Sequence, residues 1–151
     1  MSKIPTPCIG VCSTALGSRV CRGCKRHADE VIHWVGYSES EKRYIDDRLT
    51  QHLVKCVRQH LIVTNAELLQ KQLNVQRVRH RAEQPPEVWL FALLKAGAGQ
   101  IQDMSQFGFC HVDPAFKPDL REVREQIDAA WLTLAEAHYD RYYALGEVAP
   151  A

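Results

Sequence analysis

Four cysteines within 17 residues, Cys8-x3-Cys12-x8-Cys21-x2-Cys24, constrain this chain more than any other feature of its sequence. Thiols set so close together do not serve a hydrophobic core. Their arrangement as two pairs separated by a loop is that of soft ligands around a metal ion. In Cys21-Arg22-Gly23-Cys24 the glycine lets the backbone turn tightly, so that amide N–H groups face sulfur and lower the cost of thiolate charge. Four thiolates on zinc leave two formal negative charges, which the nearby Arg19, Arg22, Lys25 and Arg26 offset while lowering the thiol pKa values. The same basic rim offers contacts to phosphate. Tetrahedral sulfur suits zinc or iron, and the spacing lacks the ferredoxin runs of either bacterial or plant type. Zinc is therefore the expected cofactor, with an iron-sulfur cluster as the alternative. Four protein ligands close every coordination position, so the expected role is structural and the protein non-enzymatic.

Free thiols or disulfides are the plainer reading of the cysteines, and it depends on compartment. The first residues carry no apolar stretch of signal-peptide length, so the chain reads as cytoplasmic, where thiols stay reduced. The longest apolar run, Val88 to Leu94, is far short of the roughly 20 residues needed to cross a bilayer. No membrane partner is expected. The 19 basic and 18 acidic residues nearly balance, so total charge argues for neither a polybasic nor an acidic protein. The balance is uneven along the chain: residues 1–36 and 37–84 each carry a net +3, whereas residues 85–151 carry −5. Those halves either attract each other or face different partners.

Beyond the cysteines the sequence reads as all-α, about four helices. Two domains are expected, a metal-binding knuckle over 1–36 and a helical domain over 37–151. Ser38-x-x-Glu41 has the form of a capping box. Ile45, Leu49, Leu53, Cys56, Val57 and Leu61 then form one apolar stripe, which predicts a helix from about 40 to 62. Asn65 is placed to cap a second helix carrying Leu69, Leu73 and Val78. Pro86 opens a third, to about Ala96. Residues 97–118 read as an ordered loop packed by Met104, Phe107, Phe109 and Phe116. A last helix begins near Asp119, with Leu120, Val123, Ile127, Trp131, Leu134 and His138 on one stripe and Gly146 as its stop.

The N-terminal third resembles a bacterial family known as domain of unknown function 1289. The resemblance covers about residues 5–50. It rests on Pro7-Cys8-Ile9-Gly10-Val11-Cys12, on Cys21-Arg22-Gly23-Cys24-Lys25-Arg26, on Asp29-Glu30-Val31-Ile32 with Trp34, and on the Ser-x-x-Glu step to Lys42-Arg43. Some members are described as predicted iron-sulfur proteins, so the resemblance implies a four-cysteine site at Cys8, Cys12, Cys21 and Cys24.

Other residues suggest chemistry less directly. His52, Cys56 and His60 recur every four residues and could hold a second metal, although ligands so spaced drift around a helix, and Cys56 reads better as a small buried hydrophobe. Cys110-His111 resembles a nucleophile and base only by adjacency. Arg77, Arg79 and Arg81 lie in a stretch without acids between Glu67 and Glu83. With Arg77 and Arg81 one helical turn apart, they would form a ridge that grips nucleic acid or pairs with the acidic C-terminal helix. No aromatic residue interleaves with them, so a protein is the expected partner and nucleic acid the alternative.

Overall fold

The computed structural model describes residues 3–10 and 12–144. It is 61% helical, with five α-helices and a small two-stranded sheet, so the chain is broadly helical but not strictly all-α. The helices are α1 (Ala28–His33), α2 (Glu39–Arg58), α3 (Ala66–Val75), α4 (Pro86–Gly97) and α5 (Leu120–Ala144), and the strands are β1 (Leu61–Val63) and β2 (Phe109–His111). Among the described residues no helix is long and apolar enough to cross a membrane. Two compact units divide the chain, one of residues 1–52 with 130–151 and one of residues 53–129. The expected boundary after residue 36 falls inside the first of them.

The helix starts follow their local signals. Ser38 and Glu41 make the reciprocal bonds of a capping box, each 3.1 Å, from the Glu41 N–H to the Ser38 hydroxyl and from the Ser38 N–H to the Glu41 carboxylate. Asn65 caps α3 by accepting the Leu68 N–H at 3.0 Å. Pro86 occupies the first turn of α4, where its missing N–H costs nothing. In the first unit Ile45 and Leu49 of α2 pack with Ile4, Trp34 and Tyr37, and Trp131 of α5 lies against this cluster. In the second unit Leu61, Leu69, Leu73, Leu90, Leu94, Phe109 and Val123 are fully buried.

Four expectations are corrected. The 40–62 helix ends at Arg58, and Leu61, predicted to continue it, is buried in β1 instead. Its partner comes from the segment read as a loop: β2 pairs antiparallel with β1, setting Leu61 against His111 and Val63 against Phe109. Gly108 makes that join possible at φ 78°, since a side chain there would collide with the Asn65 carbonyl. Phe116, expected to pack the loop, is 67% exposed. Gly146 lies outside the described residues.

The fourth correction concerns Arg77. Helix α3 does not reach Val78 but ends in a Schellman turn, in which the Val78 N–H bonds the Leu73 carbonyl at 2.8 Å and the Arg77 N–H the Asn74 carbonyl at 3.2 Å. The turn needs a left-handed residue, and Arg77 supplies it at φ 57°. Arg77 and Arg81 therefore do not share a helical face. Because a side chain in that conformation is strained, Arg77→Gly should stabilise the second unit by about 1 kcal/mol. A higher urea midpoint would register this; a lower one would mean that contacts of the arginine outweigh its strain.

Candidate metal centre

Cys21 and Cys24 lie in a tight turn held from both sides. The Cys21 N–H bonds the Arg26 carbonyl at 2.9 Å, the Lys25 N–H bonds the Cys21 carbonyl at 2.8 Å, and Val20 bridges His27. Lys25 takes the left-handed conformation, at φ 68°. Its ammonium donates back to the Arg22 and Gly23 carbonyls and lies 4.9 Å over the Trp131 ring.

The two sulfurs in the turn have different environments. Burial raises the Cys21 thiol, but hydrogen bonds from the backbone N–H groups of Cys24, Ser13 and Gly23 and from the Cys24 thiol outweigh it, leaving the pKa lowered to about 7. Burial dominates at Cys24 and pushes its thiol up, although the Arg26 Nε donates to its Sγ at 3.2 Å. Cys8 accepts the Gly10 N–H at 3.3 Å. Both pairs thus begin Cys-x-Gly, with the glycine N–H on the first sulfur; Gly10 does this at φ 90°. Cys12 lies within hydrogen-bonding distance of the Thr14 hydroxyl, 2.9 Å away.

The structure joins Cys21 to Cys24 and places Ser13, the neighbour of Cys12, against the Cys21 sulfur. Among the described residues no three Cys, His, Asp or Glu side chains are grouped to hold a metal ion. The donor chemistry nevertheless suits a thiolate centre, because N–H groups and a guanidinium already face the sulfurs.

The basic rim is only partly a surface. Lys25 and Arg26, expected to reach phosphate, are 1% and 4% exposed, and Arg26 lies over the Trp34 ring as well as against Cys24. Arg19 and Arg22 remain exposed, and Arg19 pairs with Asp140 at 3.3 Å and Glu136 at 3.9 Å. Arg19 thus pairs with the acidic last helix, a contact that was expected of Arg77, Arg79 and Arg81 instead. Arg77 and Arg79 are exposed and have no ion pair among the described residues.

Sequence reasoning missed the polar cluster beneath the turn. Glu30 receives two bonds from the buried Arg48 guanidinium, at 2.6 and 2.7 Å, and also accepts the His27 N–H at 2.8 Å. Those bonds hold the Glu30 carboxyl below its usual range despite its burial. The visible signal was the i, i+3 relation of His27 and Glu30, which forms a capping box at the start of α1. The His27 Nε2 faces the Nδ1 of His138 at 3.4 Å, and the His52 ring centroid is 5.6 Å from that of His138. His52 thus belongs to a group assembled from three segments. His60, its expected companion, lies beyond the end of α2, and Cys56 is a buried thiol pushed up by desolvation. Cys110 and His111 are successive residues of β2, so their side chains point to opposite faces and do not form a nucleophile and base.

The His27 environment predicts an acid-sensitive fold. Burial, with Arg48 and His138 alongside and Glu30 only partly opposing, takes its pKa from 6.5 down to about 4. Between those values the unfolded chain binds the extra proton. Stability is therefore whole above about pH 6.5 and falls as the pH drops toward 4, by on the order of 3 kcal/mol. His138, lowered by burial and by Arg48, acts in the same direction. Urea unfolding at about pH 7 and about pH 5 should show the loss, and a His27→Gln variant whose slope is equally steep would exclude this origin.

Residues 6–53, which include all four cysteines, match a sequence family described as a protein of unknown function (DUF1289). No curated protein and no solved structure matched the chain.

Proposed function

We propose that this protein is a non-enzymatic metal-binding module in which Cys8, Cys12, Cys21 and Cys24 hold structural zinc, and that it acts in the cytoplasm through a protein partner. The supporting observation is the set of N–H donors on sulfur. Backbone groups from Ser13, Gly23 and Cys24 meet the Cys21 Sγ, the Gly10 N–H meets Cys8, and the Arg26 guanidinium meets Cys24. Such donors stabilise thiolates more than thiols. Burying Lys25 and Arg26 beside the cysteines would be costly against neutral sulfur and is favourable against an anionic centre. Ser13 brings the segment carrying Cys12 to the pair, and Cys8 lies four residues earlier. Bound zinc would supply cross-linking of these segments, not Lewis-acid chemistry, because four thiolates leave it no open position.

A protein partner is favoured over nucleic acid because two of the four basic residues around the cysteines are turned inward. The surface nearby instead presents Leu16, Ile32 and Val35, which are 89%, 74% and 92% exposed. Elemental analysis of protein purified with and without air tests the reading. One zinc per chain is expected. A brown protein containing iron and sulfide would replace zinc by an iron-sulfur cluster, and a metal-free protein from both preparations would overturn the reading altogether. Retention of RNA or DNA in a gel-shift assay at moderate salt would overturn the choice of a protein partner.

A further inference from the structure

We infer that His27 and His138 form a second metal site, which takes a zinc ion between the His27 Nε2 and the His138 Nδ1. Both residues belong to the first unit. The site uses none of the four cysteines and stands or falls independently of them. The two nitrogens are 3.4 Å apart. Hydrogen bonds from N–H groups ordinarily span about 2.7–3.2 Å, and this separation is longer. Two imidazole nitrogens bound at about 2.0–2.1 Å to one tetrahedral zinc are held roughly 3.3–3.4 Å apart, which is the spacing of the pair.

The surroundings suit the ion on three counts. The other ring nitrogen of His27, Nδ1, faces the Glu30 carboxylate at 3.8 Å, and the Arg48 guanidinium fixes that carboxylate through two bonds. A carboxylate behind a ligating imidazole keeps the proton on its own side and leaves the lone pair on the metal side. Asp29 supplies uncompensated charge. Its two carboxylate oxygens are buried without a hydrogen-bond partner, it has no ion pair among the described residues, and its charge acts on His27. Since Glu30 is already balanced by Arg48, a cation beside His27 offsets the buried Asp29 charge. Access comes from His138, which is half-buried whereas His27 is buried. No group of three Cys, His, Asp or Glu is placed to hold a metal among the described residues, so water completes the coordination and the ion binds less tightly than at four thiolates.

Zinc titrated into the full chain and followed by the ring signals of each histidine tests the assignment. Because every imidazole is seen separately, zinc taken up by the cysteines is not mistaken for zinc at the pair. The His27 and His138 signals should move together and saturate with one affinity, while those of the exposed His33 stay in place. His138→Gln should weaken the response of His27 at least about tenfold, the least that losing even an outer partner of a metal ligand costs. A circular dichroism spectrum like that of the wild type would show that this variant is folded. His33→Gln should bind as the wild type does. Rings of His27 and His138 that stay in place at millimolar zinc, that move with different affinities, or a His27 response unchanged in folded His138→Gln would each overturn the site.

Discussion

Glu30→Gln is expected to destabilise the first unit by about 3–5 kcal/mol, the usual cost of removing one partner from a buried ion pair. The substitution keeps the shape of the side chain and removes only its charge. The Arg48 guanidinium is then left buried, with its two short bonds directed at a neutral amide. Urea unfolding should show the drop in the region reported by Trp34 and Trp131, the tryptophans of that unit's core. Replacing both partners, Glu30→Leu with Arg48→Met, should cost clearly less than the single change, since no charge is then stranded. A single-variant cost below about 1 kcal/mol would mean that water reaches the pair and screens it.

Cys21→Ser should abolish metal binding and loosen the first unit, whereas Cys110→Ser, outside the proposed site, should do neither. Structural zinc contributes on the order of 10 kcal/mol to small metal-binding folds, so losing the sulfur at the centre of the donor set should lower affinity by at least about a thousandfold. The consequence should reach beyond the turn. Lys25 closes the turn and also lies over Trp131, so residues far along the chain share its packing. Hydrogen exchange should therefore quicken in residues 12–36 and around Trp131, while the amides of α3 and α4 keep their protection. Exchange that quickens only in residues 12–36 would show that the turn is an appendage, and unchanged metal content would remove Cys21 from the ligand set.

The sequence by itself determined the elements whose causes are local. Ser38 with Glu41, Asn65 and Pro86 mark helix starts because a cap satisfies backbone groups within the next few residues. The stripe Ile45, Leu49, Leu53, Cys56 and Val57 is buried as its period requires. The Cys21-Arg22-Gly23 step foretold N–H groups turned toward sulfur, since that geometry is set within three residues. Only the tertiary structure decided what depends on residues far apart. Pairing Leu61 with His111 joins positions 50 apart through strands of three residues, too short to show a period. His27 meets His138 across 111 positions, and Lys25 lies 4.9 Å over the ring of Trp131. No pattern around either residue encodes such a meeting, because the partner enters through the packing of whole helices. Arg77 marks the same limit within a single turn: its composition favoured continuing the helix, and the closing bonds of Val78 to Leu73 and Arg77 to Asn74 ended it instead.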